Sequence, residues 1–375
     1  MSTTWLFFLL FAQVTWAVGN YIDHYLLSRY KEHVDSASTV GTLVLISSFF
    51  MLLVGTGIYA LAHGLVQWGV IAPDPLNMKT GEIFLAMGVG VLEVLWLIPY
   101  LYALDEADET QVCPLFQLVP VFGFFLGITF FNEVPSISQI LAGCVILTGS
   151  VVLNLNVGRK KESVNDGLNM RVIGLMAVAS FIIAIVAFLF KNTALEANYW
   201  GAAFWMSMGS FLTGVVIWII VPSYRRDFHA FLGRRDMFGI AVNFVNEIAD
   251  SVAILAFYGA VLFGPSTALV QSSIAYQPLF VLLIGLVAAR FGSEFHAERL
   301  RGVGLLTRVV GIFCIVLGSV LLLSSDDSSK GGVQMETHHQ TILHTGGTYE
   351  GATQQSNTKK MGSIPNSIIT RFEFV

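Results

Sequence analysis

Charged residues are scarce in this chain, since Asp, Glu, Lys and Arg together make up 12% of its 375 residues. Soluble domains carry roughly 25% charged residues, so the composition argues against a water-soluble protein. Hydrophobic residues make up 55%, and the mean hydropathy is +0.70. A soluble helical protein would need polar faces on its outer helices, and the long apolar runs have none. The sequence therefore predicts an integral membrane protein.

Cysteine and enzyme motifs are also rare or missing. The three cysteines, Cys113, Cys144 and Cys314, all lie in apolar runs, which argues against both a disulfide framework and a zinc site. The chain lacks an H-E-x-x-H helix, a G-x-x-x-x-G-K-[ST] phosphate loop and a G-x-S-x-G elbow. We therefore predict that the protein is not an enzyme and uses no cofactor or metal ion.

Long apolar runs recur at the length that crosses about 30 Å of hydrocarbon. They predict an all-α membrane protein with ten transmembrane helices. The predicted spans are 4–27, 39–62, 82–104, 108–131, 137–157, 171–191, 200–221, 237–260, 265–290 and 303–323.

The chain after Leu323 has a different composition. Residues 324–375 are rich in Ser, Gly, Thr, Gln and Asn, and such a segment cannot bury enough apolar surface to fold alone. We predict a polar, disordered C-terminal tail. Its three histidines, His338, His339 and His344, could bind a metal ion, but isolated histidines in a tail of this kind are more often incidental.

Basic residues are distributed unevenly among the connections between spans. Sixteen Lys and Arg residues precede the tail, and fourteen of them lie in the connections after spans 1, 5, 7 and 9, whereas Lys79 and Lys191 lie on the other side. Cytoplasmic loops of membrane proteins attract Lys and Arg. The charge distribution therefore predicts a multi-pass protein of the cell membrane with both termini outside.

The two halves of the chain resemble each other. Pro120 aligns with Pro278, and the Gly149-Ser150 pair aligns with Gly318-Ser319. Five spans followed by five similar spans place the second copy upside down, and inverted repeats are typical of secondary transporters. We predict a first repeat at 1–158 and a second at 159–323. Each shared proline is predicted to interrupt its span near the middle.

Residues Leu115–Leu153, with Pro120, the Asn132–Ser136 segment and Gly149, resemble the EamA domain of the drug/metabolite transporter superfamily. Phe263–Leu323 resembles a second copy that contains an additional segment, Gly292–Arg308. The resemblance implies ten helices in two inverted repeats around a central cavity lined by spans 1, 3, 4, 6, 8 and 9. It also implies cytoplasmic termini, whereas the charge distribution predicts the opposite orientation.

Carboxylates near the centre of apolar spans are the main functional signal. Glu247 and Asp250 lie three residues apart, and Asn243 and Asn246 extend the same helical face. Glu93 occupies the corresponding span of the first half. A carboxylate at the membrane centre costs about 2.5–3.5 kcal/mol on insertion scales, so such residues usually face a wet interior. Binding or proton coupling is the functional interpretation, and a structural hydrogen bond is the alternative.

Polar side chains also recur on other spans. The first span carries polar residues at intervals of three or four, and the pattern continues to either Asp23 or His24. Amides and aromatic rings within a span can contact a substrate, although Trp and Tyr can also anchor a helix at the interface. The further candidate residues are Gln13, Trp16, Asn20, Gln117, Gln271 and Tyr276.

These features predict a secondary active transporter that exports a small metabolite resembling an amino acid or an amine, coupled to protons. The expected partners are that substrate, protons, the lipid bilayer and a second copy of the chain, with no nucleic acid. The alternative is a membrane receptor or scaffold with the same fold, which accounts for the helices but not for the central carboxylates. Uptake into proteoliposomes distinguishes the two.

Overall fold

The computed structural model describes most of the chain up to residue 290 and short parts of the chain after it. The described residues are 4–31, 36–69, 76–107, 112–131, 136–154, 170–233, 237–264, 267–290, 309–314, 316–318 and 320–321. Within these ranges every regular element is a helix. The tail predicted at 324–375 lies outside the described residues.

The helices follow the apolar runs of the sequence. They are α1 Thr4–Lys31, α2 Ser36–Gln67, α3 Thr80–Glu106, α4 Leu118–Phe131, α5 Ile137–Asn154, α6 Met170–Glu196, α7 Tyr199–Ile220, α8 Pro222–Gly233, α9 Met237–Phe263, α10 Thr267–Ser272 and α11 Gln277–Arg290. A 3₁₀ turn at Cys113–Gln117 precedes α4, and another at Ser273–Tyr276 joins α10 to α11. A shorter apolar helix occupies Val309–Gly318.

Seven segments within the described ranges are long and apolar enough to cross a membrane. They comprise α1, α2, α3, the 3₁₀ turn with α4, α6, α7 and α9. The other three predicted spans correspond to α5, to α10 and α11, and to the Val309–Gly318 helix. The all-helical membrane fold is therefore confirmed, while the count of ten spans and the inverted repeat stay predictions.

The shared prolines do not interrupt the middle of a helix. Pro120 is the third residue of α4 and Pro278 is the second residue of α11, and each follows a 3₁₀ turn. The first N–H groups of an α-helix have no partner within the helix, so proline costs little at these positions. Each of the two predicted spans is broken near its middle, and the break is the 3₁₀ turn that ends shortly before the proline.

The long helices pack across the two halves of the chain. Helix α1 packs against α9, α3 packs against α6 and α7, and α2 packs against α7. The backbones of α3 and α7 approach each other closely. A Cβ added at Gly90 would lie 2.0 Å from the carbonyl oxygen of Met206, and one added at Gly209 would lie 2.2 Å from that of Met87. The two backbones touch because neither glycine has a side chain.

Helix α8 lies in a stretch that the sequence predicted as a connection. The ring of Tyr30 on α1 lies 4.8 Å from Phe231, and that of Phe49 on α2 lies 5.4 Å from Phe228. The hydroxyl groups of Tyr102 and Tyr224 are 3.2 Å apart. Burial and this hydrogen bond raise the pKa of Tyr224 above its usual value, so its hydroxyl stays neutral. Helix α8 therefore packs against one end of the bundle.

Candidate substrate-binding cavity

A cavity of about 160 Å³ lies between the long helices. One water molecule needs roughly 10–15 Å³ on the same measure, so the space is large enough for a small organic molecule. Residues of α1, α2, α3, α6, α7 and α9 line it, together with Phe116, Ile274 and Gln277 from the two broken spans. The resemblance implied six lining spans; in the structure α2 and α7 also contribute.

Four carboxyl groups line this cavity: Asp23, Glu93, Glu247 and Asp250. They lie on α1, α3 and α9, which are far apart in the sequence. None of the described lining residues is Lys, Arg or His. Ion pairs lie instead at helix ends, such as the 2.7 Å contact between Arg171 and Glu106. The described part of the cavity wall is therefore acidic and contains no positive side chain to balance it.

Both oxygens of Glu93 accept hydrogen bonds. Trp96 Nε1 donates to Oε2 over 2.5 Å, and the Tyr258 hydroxyl of α9 donates to Oε1 in a short contact. The Tyr258 ring stacks on Phe190 of α6 with the ring centroids 4.0 Å apart. Glu93 thus connects α3 to α9, whose Tyr258 in turn packs against α6, and both of its oxygens have a donor.

Asp23 is satisfied in the same way. Asn246 Nδ2 donates to Oδ1 over 2.8 Å, and the Tyr100 hydroxyl lies 3.1 Å from Oδ2. That hydroxyl also lies 2.8 Å from Asn20 Oδ1, so its single proton is shared between Asp23 and Asn20. Asn20 Nδ2 donates to Cys113 Sγ over 3.0 Å. This network connects α1, α3, α9 and the first 3₁₀ turn.

Glu247 and Asp250 differ from the other two acids. The Ser47 hydroxyl donates to Glu247 Oε1 in a short contact, and Trp16 Nε1 donates to Asp250 Oδ1 over 2.9 Å. No described residue donates to Glu247 Oε2 or Asp250 Oδ2. Because residues three apart share one helix face, these two carboxyl groups project from the same side of α9, each with one uncommitted oxygen.

Six of the predicted site residues line the cavity: Trp16, Asn20, Glu93, Asn246, Glu247 and Asp250. The other five lie outside it: Gln13, Gln117, Asn243, Gln271 and Tyr276. Gln117 donates to the carbonyl oxygen of Ile274, and Gln271 donates to that of Ala184. These two amides connect helices. Gln13 and Asn243 are buried between helices.

Several lining residues were not among the predicted site residues. The polar pattern of the first span could continue to either Asp23 or His24, and the structure places Asp23 in the cavity wall. Tyr258 lies eleven residues after Glu247, about three helical turns, so helical spacing could have found it. Ser47 and Tyr100 lie within apolar runs that show no polar stripe, and nothing in the sequence marks them.

Comparison with known proteins gives a family for the first part of the chain. Residues 3–155 match the EamA-like transporter family. This family is part of the drug/metabolite transporter superfamily. The matched segment contains α1 to α5 and therefore Asp23 and Glu93. Together with the apolar helices, the EamA match indicates a multi-pass membrane transporter of the drug/metabolite type.

One solved structure, described only as "Crystal structure of protein", aligns with this chain at a TM-score of 0.55 and 14% identity. The alignment covers 86% of this chain and 96% of the other. At this identity the likeness concerns the fold alone, and it extends beyond the EamA segment into the second half. Among curated proteins, none matches this chain.

Proposed function

We propose that the protein is a secondary active transporter that exports a small, positively charged metabolite, an amino acid or an amine, in exchange for protons. The observation that carries the proposal is the convergence of four carboxyl groups from α1, α3 and α9 on one cavity without a basic residue among its described lining residues. A buried carboxyl group without a cation nearby is neutralised by a proton or by a cationic ligand. The proton and the ligand therefore compete for the same carboxyl group.

Glu247 is the proposed coupling group. Its Oε2 has no described donor, whereas both oxygens of Glu93 accept hydrogen bonds. A proton can therefore bind and leave Glu247 without breaking a bond to a neighbouring side chain. In the proposed cycle, Glu247 holds a proton when the site is empty and releases it when the cation binds.

Alternating access of the cavity requires two parts that move against each other. We propose that these are the repeats at 1–158 and 159–323. Helix α1 of the first part packs against α9 of the second, and α3 of the first packs against α6 of the second. This reciprocal packing supports an inverted repeat, because a two-fold axis exchanges the two contacts.

Transport into proteoliposomes tests the proposal. Vesicles containing the full chain are given a pH difference and a panel of radiolabelled amino acids and amines. We expect at least one compound to accumulate against its gradient, and Glu247→Gln to abolish that accumulation while exchange at equal pH continues.

The matched control is Glu196→Gln, which removes an exposed carboxylate at the end of α6 and should leave accumulation intact. Unchanged pH-driven accumulation in Glu247→Gln would remove this residue from coupling. If no compound accumulates with the unmodified chain, the receptor or scaffold alternative becomes the better interpretation.

The proposed location is the cell membrane with both termini outside, as the basic connections predict. A single cysteine at Ser329, with the three native cysteines replaced, tests the orientation. An impermeant maleimide should label this cysteine in intact cells. Labelling only after permeabilisation would place the termini in the cytoplasm.

A further inference from the structure

We propose that the substrate is a small organic cation with at least one N–H group and no carboxylate, that is, an amine and not an amino acid. This inference rests on the proposed transport function and narrows its substrate class. It follows from a difference between the hydrogen-bond acceptors and donors of the cavity wall: several acceptors have no partner, and almost every donor has one.

Three acceptor atoms that α9 contributes to the cavity wall have no donor among the described residues. Two are the carboxylate oxygens Glu247 Oε2 and Asp250 Oδ2. The third is the carbonyl oxygen Oδ1 of Asn246, whose side chain is 6% exposed. A buried polar atom normally has a hydrogen-bond partner, and an atom that lacks one at a cavity wall is a position where a ligand can supply it.

The position of Asn246 Oδ1 supports a ligand site independently of the acidic residues. Asn246 Nδ2 is engaged by Asp23, which fixes the side chain and turns Oδ1 away from that carboxylate. Oδ1 lies 3.4 Å from the point where a Cβ on Gly19 would lie, and both residues line the cavity. A neutral carbonyl oxygen does not attract a bare proton as a carboxylate does. It accepts from an N–H or O–H group.

The donors of the wall are already committed. The hydroxyl groups of Ser48, Ser207, Ser210 and Ser251 donate to backbone carbonyl oxygens of their own or a neighbouring helix. The donors on Ser47, Trp16 and Trp96 are bound to carboxylates.

Among the described lining residues, Gln277 alone has a polar side chain with no hydrogen bond to the protein. Its amide is neutral, so a carboxylate on the substrate would meet four acidic groups and no cation from the described wall. A like charge in such a site is strongly disfavoured. The wall therefore selects against a zwitterionic amino acid and in favour of the amine that lacks its carboxylate.

Aromatic rings complete the site. Trp16 and Phe257 lie with their ring centroids 5.2 Å apart, and Trp96, Tyr100 and Phe116 line the same space. The face of an aromatic ring attracts a cation, and Trp does so most strongly. An ammonium group can therefore donate to the α9 acceptors while its carbon skeleton contacts rings.

Four probes with the same phenyl ring separate the possibilities. They are phenethylamine, the phenethyltrimethylammonium ion, L-phenylalanine and 3-phenylpropionate, with methylamine and tryptamine added to vary the size of the amine. A ligand that binds only the folded state raises the unfolding temperature. The purified full-length chain in detergent should be stabilised by at least one primary amine, less by the quaternary ion, and not by phenylalanine or phenylpropionate.

Variants locate the binding. Glu247→Gln and Asp250→Asn should each weaken amine binding by about tenfold or more, because each removes a hydrogen bond to a charged group. Glu196→Gln should leave it unchanged. Stabilisation by phenylalanine or phenylpropionate equal to that by the amines would overturn the inference. So would the absence of a shift with all three amines, or an amine shift that both α9 variants leave unaltered.

The transport assay tests the proposed function independently of the amine-binding assay. Amine binding without pH-driven accumulation of any compound would overturn the proposed transport and leave the amine site standing. Accumulation of amino acids by a chain that binds none of the amines would support the proposed transport and overturn the amine site.

Discussion

The cavity contains two kinds of carboxyl group, which differ in how many of their oxygens accept hydrogen bonds. Asp23 and Glu93 accept hydrogen bonds at both oxygens from side chains on other helices or on their own. Glu247 and Asp250 accept at one oxygen only. Burial alone does not distinguish the two pairs, since all four line one space. The number of oxygens that accept hydrogen bonds does distinguish them, and under our proposal the first pair holds helices together while the second pair binds the ligand.

Exchanging acid for amide at Glu93 should give the largest effect on stability. The amide nitrogen of Glu93→Gln cannot accept, so either Trp96 or Tyr258 keeps a buried donor without an acceptor. We expect a loss of roughly 1.5–3 kcal/mol in the free energy of unfolding, measured by thermal unfolding in detergent. Glu247→Gln is the matched comparison: its carbonyl oxygen can keep the Ser47 hydrogen bond, so its loss should be much smaller. Equal losses would erase the distinction between the two pairs.

Trp16→Phe removes the donor to Asp250 Oδ1. Asp250 then accepts no hydrogen bond from a described residue, fewer than each of the other three acids. The ring face is retained, so we expect a loss of about 1 kcal/mol in the free energy of unfolding. Amine binding should change by no more than about threefold, since the oxygen assigned to the ligand is untouched. Thermal unfolding with and without phenethylamine measures both quantities. A tenfold loss of binding would show that Asp250 Oδ1, and not Oδ2, faces the ligand.

Gly19→Ala should give the smallest effect, and a selective one. The added methyl group would lie 3.4 Å from Asn246 Oδ1, an ordinary contact that leaves the fold within about 0.5 kcal/mol of the original. It would shield this carbonyl oxygen, so amine binding should weaken by about threefold. Gly57→Ala is the control, because an added Cβ there has no atom within 4 Å. If both variants bind the amine equally well, Asn246 Oδ1 is not part of the site.

The sequence could predict the membrane fold and the presence of central carboxylates because both depend on local composition. Glu93 and Glu247 stand out in any apolar run, whatever their neighbours. Long apolar runs likewise favour helices, since a helix satisfies the backbone polar groups of a membrane-spanning segment within the segment itself.

The sequence could not show whether a polar side chain lines the cavity or forms a hydrogen bond between packed segments. Gln117 and Gln271 look like site residues in an apolar run, yet each bonds to a backbone carbonyl oxygen of another helix. Whether a polar group faces a ligand depends on which helix packs opposite, and local spacing does not contain that information. The same limit applies to Asp23 and His24, because a step of three or four residues keeps either one on the helix face that Asn20 occupies.

The contact between α3 and α7 also limits which sequences this fold can accept. An added Cβ at Gly90 or Gly209 would overlap backbone atoms of the partner helix, and backbone cannot rotate away as a side chain can. No other amino acid can occupy either position without separating the two helices, and a separated pair would widen the cavity that both of them line. Among relatives that keep this packing, the two glycines should therefore stay invariant even where the carboxylates change with the substrate.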